Sequence, residues 1–198
     1  MKTKHIVVFG GSDGLGKEAA RQLHEAGHQI TIVANLQEET EKAAQEIGCA
    51  YDVCDVAKKE DIEAVFERLL QGYPVDCLVN SVGIYSESPL AESSYEDMKK
   101  MIDVNTLGAM YATKFIAEHM RSRGGGKIIN VVSTGGLHPK AERSLYYASK
   151  HALTGFTKSV EKEYQPYNVN ISGFYPGAIN TKLFEKNGVE KDTSTFLP

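Results

Sequence analysis

Two side chains in the stretch from Ser144 to Lys150 have the types and spacing for proton chemistry, the phenol of Tyr146 and the ammonium of Lys150. Four residues apart on a helix, they share one face, so the cation stabilises the phenolate electrostatically. A free tyrosine titrates near about pH 10, whereas general acid catalysis needs a group that gives and retakes a proton closer to the working pH. We therefore expect Lys150 to lower the pKa of Tyr146. The same spacing is common by chance on solvated helix surfaces, so the rest of the chain decides whether the pair is functional.

A glycine-rich segment from Gly10 to Gly16 follows an apolar run at residues 5–9 and opens a helical pattern. Glycines there permit a tight turn and close approach of the backbone to a diphosphate, and the helix N-terminus favours the anion. The strand, loop and helix context favours a nucleotide site over an ordinary turn. The predicted cofactor contacts in this segment are Gly10, Ser12, Asp13, Gly14, Leu15 and Gly16.

Length and composition predict a single folded domain over residues 1–198, with 41% hydrophobic and 24% charged residues. The net charge of -4, with scattered basic residues, offers no patch for nucleic acid or for an acidic membrane surface. No apolar run has membrane-spanning length, and the one near the N-terminus is too short for a signal peptide. The three cysteines, Cys49, Cys54 and Cys77, are odd in number and lack a C-x-x-C spacing. Reduced thiols and a cytoplasmic location are expected.

Short apolar runs alternate with longer amphipathic stretches, a pattern typical of repeated βαβ units and a parallel sheet. Glycines at positions 27, 48 and 72 follow helical patterns, where we expect left-handed C-cap residues. The helix at 94–122 is expected to be long or broken. The predicted strands are 5–9, 29–34, 50–53, 76–80, 127–132 and 168–175, and the predicted helices are 15–26, 38–47, 59–71, 94–122 and 144–164.

One pattern imitates a zinc site. His24 and His28 satisfy H-E-x-x-H, which on a continuous helix would place two histidines on one face. Gly27 is expected to end the helix first, so that His28 leaves that face. The remaining histidines are dispersed, and we predict no metal site.

The glycine segment has three residues between Gly10 and Gly14, a spacing that resembles the motif of the short-chain dehydrogenase/reductase family. Further family motifs follow in order, and the resemblance covers residues 5–183. They are Asn80-Ser81-Val82-Gly83, Asn105, Ser133, the Tyr146 and Lys150 pair, and Pro176-Gly177 with Thr181. The chain is identified as a member of the single-domain, Tyr-x-x-x-Lys type. The family fold is an α/β, Rossmann-like, doubly wound parallel sheet of strand order 3-2-1-4-5-6.

The resemblance implies an NAD(P)-dependent oxidoreductase that interconverts a carbonyl and a secondary alcohol, in a direction left open. Tyr146 would be the general acid or base, and Lys150 would lower its pKa and bind the nicotinamide ribose. Ser133 would hold the substrate oxygen, although a strand-end hydroxyl that caps a turn is the alternative. Asn105 would anchor a water chain through Lys150, and a buried amide satisfied by backbone is compatible with that role.

The resemblance also implies further cofactor contacts. Asp55 would contact the adenine, with Asp52 as a competitor and ordinary turn chemistry as the alternative. Thr181 would meet the nicotinamide carboxamide. The implied contacts outside the glycine segment are Asn35, Asp55, Val56, Asn80, Ser81, Val82, Gly83, Tyr146, Lys150, Pro176, Gly177, Ile179 and Thr181.

Several positions depart from the family pattern. Phe9 stands where a threonine is usual, so a local hydrogen bond in the turn must be replaced or absent. Asn35-Leu36 stands where an acid would select NAD or an arginine NADP. Asp13 would repel the 2′-phosphate of NADP, which favours NAD.

Common family members continue with a further helix and a seventh strand, and we expect both to be missing here. An exposed edge of the sixth strand is an association hazard. Residues 180–198 are predicted to form a flexible lid or tail. We expect a homodimer through the helices that carry Asn105 and Tyr146. The alternative function is a non-catalytic dinucleotide sensor or protein-interaction module, and the identity of a small-molecule carbonyl or alcohol substrate stays open.

Overall fold

A six-stranded parallel sheet forms the centre of the protein in the computed structural model, which describes residues 2–194 and Phe196. The strands are β1 His5–Phe9, β2 Gln29–Ala34, β3 Ala50–Val53, β4 Cys77–Asn80, β5 Gly126–Val131 and β6 Val169–Phe174. The helices are α1 Gly14–Glu25, α2 Gln37–Ile47, α3 Lys59–Gln71, α4 Tyr95–Ile102, α5 Gly108–Ser122, α6 Ser144–Tyr164 and α7 Leu183–Lys186. The sheet order is β3-β2-β1-β4-β5-β6, which confirms the predicted fold.

Strand β1 shows why the sheet is covered on both faces. All five of its residues are buried, as in strands that lie between two helical layers. Val7 and Phe9 pack in one apolar cluster with residues of α3 and α5, whereas Ile6 and Val8 pack in another with residues of α1 and α2. Successive side chains of a strand point to opposite faces, so the two clusters are the two cores of a doubly wound sheet.

The helix predicted at 94–122 is broken. α4 ends at Ile102, a π-helical turn occupies Asp103–Leu107, and α5 begins at Gly108. A Cβ on Gly108 would lie 2.8 Å from the Cβ of Val56, so the backbone here approaches its neighbour closely. Single π-helical turns inside helices often occur at functional sites.

The glycine C-caps were predicted correctly at two of three positions. Gly27 and Gly48 have φ of 86° and 80°, in the left-handed region. The prediction is wrong for Gly72, which has φ -93° and ψ -120°. Residues with a side chain rarely adopt this combination of φ and ψ, whereas glycine can. α1 ends at Glu25, as expected from Gly27, and no group of three metal-ligating side chains occurs among the described residues.

The chain beyond β6 lies against the rest of the molecule. The short helix α7 follows, and Leu183, Phe184 and Val189 pack against a cluster that contains Tyr146. The predicted tail at 180–198 lies partly outside the described residues. Within residues 2–194 and Phe196, no helix is long and apolar enough to cross a membrane.

Candidate active site

Tyr146 and Lys150 lie on the buried face of α6, with exposures of 8% and 4%. The Lys150 ammonium donates to the carbonyl oxygen of Val131, at the end of β5, at 3.2 Å. Its Nζ lies 5.9 Å from the centroid of the Tyr146 ring. The helical spacing therefore brings the two side chains together at the carboxyl edge of the sheet, where α/β folds bind ligands.

The expected lowering of the Tyr146 pKa does not hold in this structure. Burial raises the pKa of Tyr146, a hydrogen bond with Ser133 lowers it, and the neighbouring Tyr147 raises it, with a net increase. Burial also lowers the pKa of Lys150 to about 8. Desolvation disfavours the charged form of both groups. This effect is larger than the stabilisation of the phenolate that the helical spacing of Tyr146 and Lys150 predicts.

Ser133 lies just beyond β5 in a strained backbone conformation, with φ 146° and ψ 155°. This region is open essentially only to glycine, and side chains held there are common at functional sites. Its hydroxyl accepts the N–H of Gly135 at 3.0 Å, and a Cβ on Gly135 would lie 3.1 Å from the Tyr146 ring. The structure therefore shows Ser133 capping a turn that lies beside Tyr146.

Asn105 is fully buried in the π-helical turn. Its Oδ1 accepts the N–H of Ile84 at 2.7 Å, and its Nδ2 donates to the carbonyl oxygen of Ile84 at 2.9 Å and to Ser149 Oγ at 3.1 Å. A Cβ on Gly83 would lie 3.5 Å from both Asn105 Oδ1 and Lys150 Nζ. Asn105 and Lys150 therefore face the same glycine.

The glycine segment forms a tight loop against the segment after β4. A Cβ on Gly16 would lie 2.1 Å from the carbonyl oxygen of Gly10, and one on Gly10 would lie 2.8 Å from the backbone of Ser81. Asp13 caps α1, and its Oδ1 accepts the N–H of Gly14 at 2.8 Å. Thr181 lies on the other side of Gly14, 3.3 Å from where a Cβ would be. The backbone of the loop and the N-terminus of α1 thus lie between the predicted contact residues Ser81 and Thr181.

The loop forms without the usual threonine at position 9. The backbone N–H of Gly10 donates to the carbonyl oxygen of Val33 at 2.7 Å, and that of Ser81 donates to the carbonyl oxygen of Phe9 at 2.8 Å. The Phe9 ring stacks on Phe66 at 5.5 Å in the core. Backbone hydrogen bonds and apolar packing hold the turn in place of a side-chain hydroxyl.

The predicted adenine-side residues have different surroundings. Asp52 is held by Arg68 through bonds of 2.8 and 2.9 Å, whereas Asp55 accepts the N–H of Ala57 at 3.1 Å as a turn residue does. Asn35 is exposed after β2, and Val56 packs against Gly108. Both acids thus have a cationic neighbour, Arg68 for Asp52 and Lys58, at 3.8 Å, for Asp55.

The segment after β6 is tied to the Ser133 turn, because Pro176 accepts the N–H of Thr134 at 2.9 Å. Gly177 is exposed and Ile179 half-buried. Farther along, Lys186 bridges Asp13 at 3.1 Å and Glu39 at 2.7 Å. This bridge joins the C-terminal segment to the glycine loop through Asp13 and to α2 through Glu39. The sequence contained no signal for it.

Aromatic side chains that the sequence reasoning missed surround Tyr146. The ring of Tyr85 lies edge-on to those of Tyr146 and Phe184, with centroid distances of 4.9 Å in both cases. Tyr147 lies 5.8 Å from Tyr146. Only the position of Tyr85 after the Asn80–Gly83 motif could have pointed to it. Tyr146 is therefore packed against other aromatic rings.

Comparison with known proteins gives a consistent result. The family model described as short chain dehydrogenase matches residues 4–192. Carbonyl reductase family member 4 of Xenopus tropicalis is 33% identical over 98% of this chain and 83% of its own length. The 3-oxoacyl-[acyl-carrier-protein] reductase of Homo sapiens is 34% identical over 91% of this chain and 77% of its own.

Solved structures agree with these relatives. A variant of actinorhodin polyketide ketoreductase with NADPH has a TM-score of 0.88 at 28% identity, covering 98% of this chain and 79% of its own. ElxO with NADP bound has a TM-score of 0.87 at 28% identity, covering 93% and 77%.

Proposed function

The chain belongs to the short-chain dehydrogenase family of oxidoreductases, and we propose that it interconverts a carbonyl compound and a secondary alcohol with a nicotinamide dinucleotide. The observation that carries the proposal is the convergence of four side chains at the carboxyl edge of the sheet. The Ser133 hydroxyl accepts the N–H of Gly135, which lies against the Tyr146 ring, and Lys150 and Asn105 both face Gly83. A binding module would need neither the phenol nor the strained serine.

In carbonyl reduction, Tyr146 donates its proton to the carbonyl oxygen and Ser133 donates a hydrogen bond that holds this oxygen in place. The raised pKa of Tyr146 keeps the phenol protonated before the reaction. Lys150, charged below about pH 8, stabilises the phenolate that proton donation leaves behind. Asn105 holds the backbone of Ile84 near Lys150. Its proposed role is to anchor a water chain that returns a proton to Tyr146 through Lys150. The nicotinamide cofactor, when bound, supplies the hydride.

The residues present fit a dinucleotide. Gly10 and Gly16 permit the tight loop, because a Cβ on either would clash with backbone atoms of the protein. The loop leads into the N-terminus of α1, which favours a diphosphate. The proposed contacts beyond the loop are those given above from the family resemblance, from Asn35 to Thr181, and they include both Tyr146 and Lys150.

NAD is the proposed preference over NADP. Although burial opposes it, hydrogen bonds from Lys186 and the N–H of Gly14 lower the pKa of Asp13, so this carboxyl is ionised. Asp13 and Glu39 contact the same ammonium and therefore lie near each other beside the end of β2. The segment after β2 binds the adenosine ribose in this fold class. Two carboxylates around one ammonium leave a net negative charge there, which disfavours a 2′-phosphate. Titration of nicotinamide fluorescence with NADH and NADPH measures the two Kd values directly.

Apolar carbonyl compounds are the proposed substrate class. Tyr85, Tyr147 and Phe184 supply aromatic walls beside Tyr146, and the carbonyl reductase and 3-oxoacyl reductase relatives support that choice. Residues 180–194 are proposed to cover the substrate site of a single catalytic domain, because Leu183, Phe184 and Val189 pack against the cluster that contains Tyr146.

A panel of aryl ketones, 3-oxoacyl thioesters and sugars tests the function, with nicotinamide absorbance as the readout and both cofactors in parallel. Tyr146→Phe should lower kcat by about 10²- to 10⁴-fold, since it removes the proton donor. Its Kd for the cofactor should change little, because the phenol hydroxyl is one of many proposed contacts. Near-full turnover by this variant would defeat the proposed mechanism. Cofactor binding without turnover on any substrate would favour a dinucleotide sensor.

A homodimer through α5 and α6 completes the proposal. The groove of about 510 Å³ on this outer face contains none of the four proposed catalytic residues. Its wall includes Leu107, which is 50% exposed, together with Met110, Phe156 and Val160. Apolar side chains on an unpartnered helix face support an interface there.

A further inference from the structure

One carboxylate beside the active site receives donors from three separate parts of the chain. Glu87, in the loop after β4, accepts the hydroxyl of Tyr85 at 2.6 Å and the guanidinium of Arg143 at 2.8 Å. Lys191 of the C-terminal segment also pairs with it. Arg143 is the residue just before α6, three positions before Tyr146. Glu87 thus joins the loop, the start of the helix that carries the phenol, and the segment that covers it.

The Tyr85 ring packs between the Glu87 carboxylate and the Tyr146 ring. It is 7% exposed and lies edge-on between Tyr146, at an interplanar angle of 66°, and Phe184, at 78°. Edge-on contacts define ring orientation, because the positive edge of one ring prefers the negative face of the other. A bond from the Tyr85 hydroxyl to Glu87 fixes the far end of the ring.

Glu87 keeps its charge under all working conditions. Although burial opposes ionisation, hydrogen bonds from Lys191, Tyr85 and Arg143 lower the pKa of Glu87 to about 2. Burial and the bond to Glu87 raise the pKa of Tyr85 above its usual range. The pair is therefore a neutral phenol that donates to a carboxylate throughout the neutral pH range.

We propose that Glu87 is a positioning residue for Tyr146 and acts through the hydroxyl and ring of Tyr85. By holding this ring, Glu87 keeps the phenol of Tyr146 directed at the substrate oxygen. Misplacement of a reacting group by a small distance costs rate even when the substrate and cofactor still bind. The inference rests on the proposed role of Tyr146 in proton transfer.

The chain provides a matched control for a purely structural role. Tyr164 donates to Glu118 at 2.6 Å, the same length as the bond from Tyr85 to Glu87. Tyr164 is buried to a similar extent, with 9% exposure, but it packs in the core cluster that excludes Tyr146. Glu118→Gln therefore removes the charge from the acceptor of the same kind of hydrogen bond, and so weakens that bond, far from the chemistry.

The test compares Glu87→Gln, Tyr85→Phe, the double variant and Glu118→Gln with the wild type on an active substrate from the panel. Steady-state kinetics from pH 6 to 9, cofactor titration and urea unfolding are measured for each. Glu87→Gln and Tyr85→Phe should each lower kcat about tenfold, uniformly across this pH range, with little change in cofactor Kd. The double variant should be no slower than the slower single variant, because both act on one ring. Glu118→Gln should lose stability but keep its kcat.

Full kcat in Glu87→Gln, or full kcat in Tyr85→Phe beside a slow Glu87→Gln, would overturn the inference. Losses that multiply in the double variant would also overturn it. If Glu87→Gln does not fold, Tyr85→Phe decides alone, because it keeps the ring and removes only the hydroxyl. Tyr146→Phe is assayed in parallel. Retained turnover in that variant would overturn the proposed function itself, whereas its inactivity beside an unaffected Glu87→Gln would overturn only the positioning role.

Discussion

The ammonium of Lys150 lies 5.9 Å from the centroid of the Tyr146 ring, but its hydrogen bond goes to the carbonyl oxygen of Val131 at 3.2 Å. The cation is therefore held beside the phenol by the end of β5 and not by the phenol itself. Its side chain is almost completely removed from water, which lowers the pKa of Lys150 to about 8. A group placed in this way costs stability and provides a charge that depends on pH.

Lys150→Met should stabilise the protein at neutral pH while abolishing activity. The pKa of Lys150 falls from 10.5 to about 8 on folding, a difference equivalent to roughly 3 kcal/mol at 1.36 kcal/mol per unit. Below pH 8 the folded wild type carries this full cost. Between about pH 8 and 10.5 the unfolded chain binds the extra proton, so wild-type stability rises with pH and the advantage of the variant shrinks.

Urea unfolding at pH 7, 8.5 and 10 checks this expectation. Lys158→Met, an exposed position on the same helix, is the control and should show no such pH-dependent gain. A Lys150→Met variant less stable than the wild type at pH 7 would contradict the argument that burial dominates at this site.

Carbonyl reduction by the wild type should decline as the pH rises through about 8, the pKa to which burial lowers Lys150. Neutral Lys150 no longer stabilises the phenolate that forms when Tyr146 gives up its proton. The measurement is kcat/KM for reduction from pH 6 to 10 at constant ionic strength. A flat profile through pH 8 would exclude Lys150 as the cation that supports Tyr146.

Ser133→Gly and Ser133→Ala should differ in stability but not in activity. Both remove the hydroxyl proposed to hold the substrate oxygen, so both should lose about 10²-fold in kcat. Only glycine relieves the strain at φ 146°, so that variant should be more stable than Ser133→Ala by about 1–2 kcal/mol. Thermal unfolding of the pair decides the matter, and equal Tm values would show that this backbone is not strained.

The same glycine-to-alanine change should have opposite effects at two positions. In Gly16→Ala the new methyl would lie 2.1 Å from the carbonyl oxygen of Gly10, so the loop must shift and cofactor affinity should fall about tenfold or more. Gly155, inside α6, has no atom within 4 Å of an added Cβ. Gly155→Ala should therefore stabilise the protein by about 0.5–1 kcal/mol. Cofactor titration and urea unfolding of both variants test this, and unchanged binding in Gly16→Ala would refute the close approach.

Leu107→Glu should convert the proposed dimer to a monomer, because it places a charge in the apolar groove on α5 and α6. Leu107 is 50% exposed, so the fold of the single chain should tolerate the change. Size-exclusion chromatography with light scattering measures the mass. Leu90→Glu, at a position 59% exposed and outside the groove, is the control. A wild type that is monomeric at all concentrations would defeat the dimer.

The sequence by itself determined the features that depend on neighbouring residues. Buried runs of the β1 type, the glycine loop before α1, and the spacing of Tyr146 and Lys150 are local patterns, and the parallel sheet with its order follows from them and from the family motifs. Hydrophobic periodicity and backbone conformation are encoded within a few residues, so these parts could be predicted.

Only the tertiary structure decided the features that depend on contacts between distant residues. Lys186 and Glu39 are 147 positions apart, Lys191 and Glu87 are 104 apart, and Arg143 and Glu87 are 56 apart. The sequence predicted a lowered pKa for Tyr146, whereas the structure gives a raised one. This prediction was wrong because it too depends on contacts between distant residues. The spacing on α6 showed that a cation was near, but burial by Tyr85 and its neighbours, which raises the pKa, arises only when the chain is folded around the phenol.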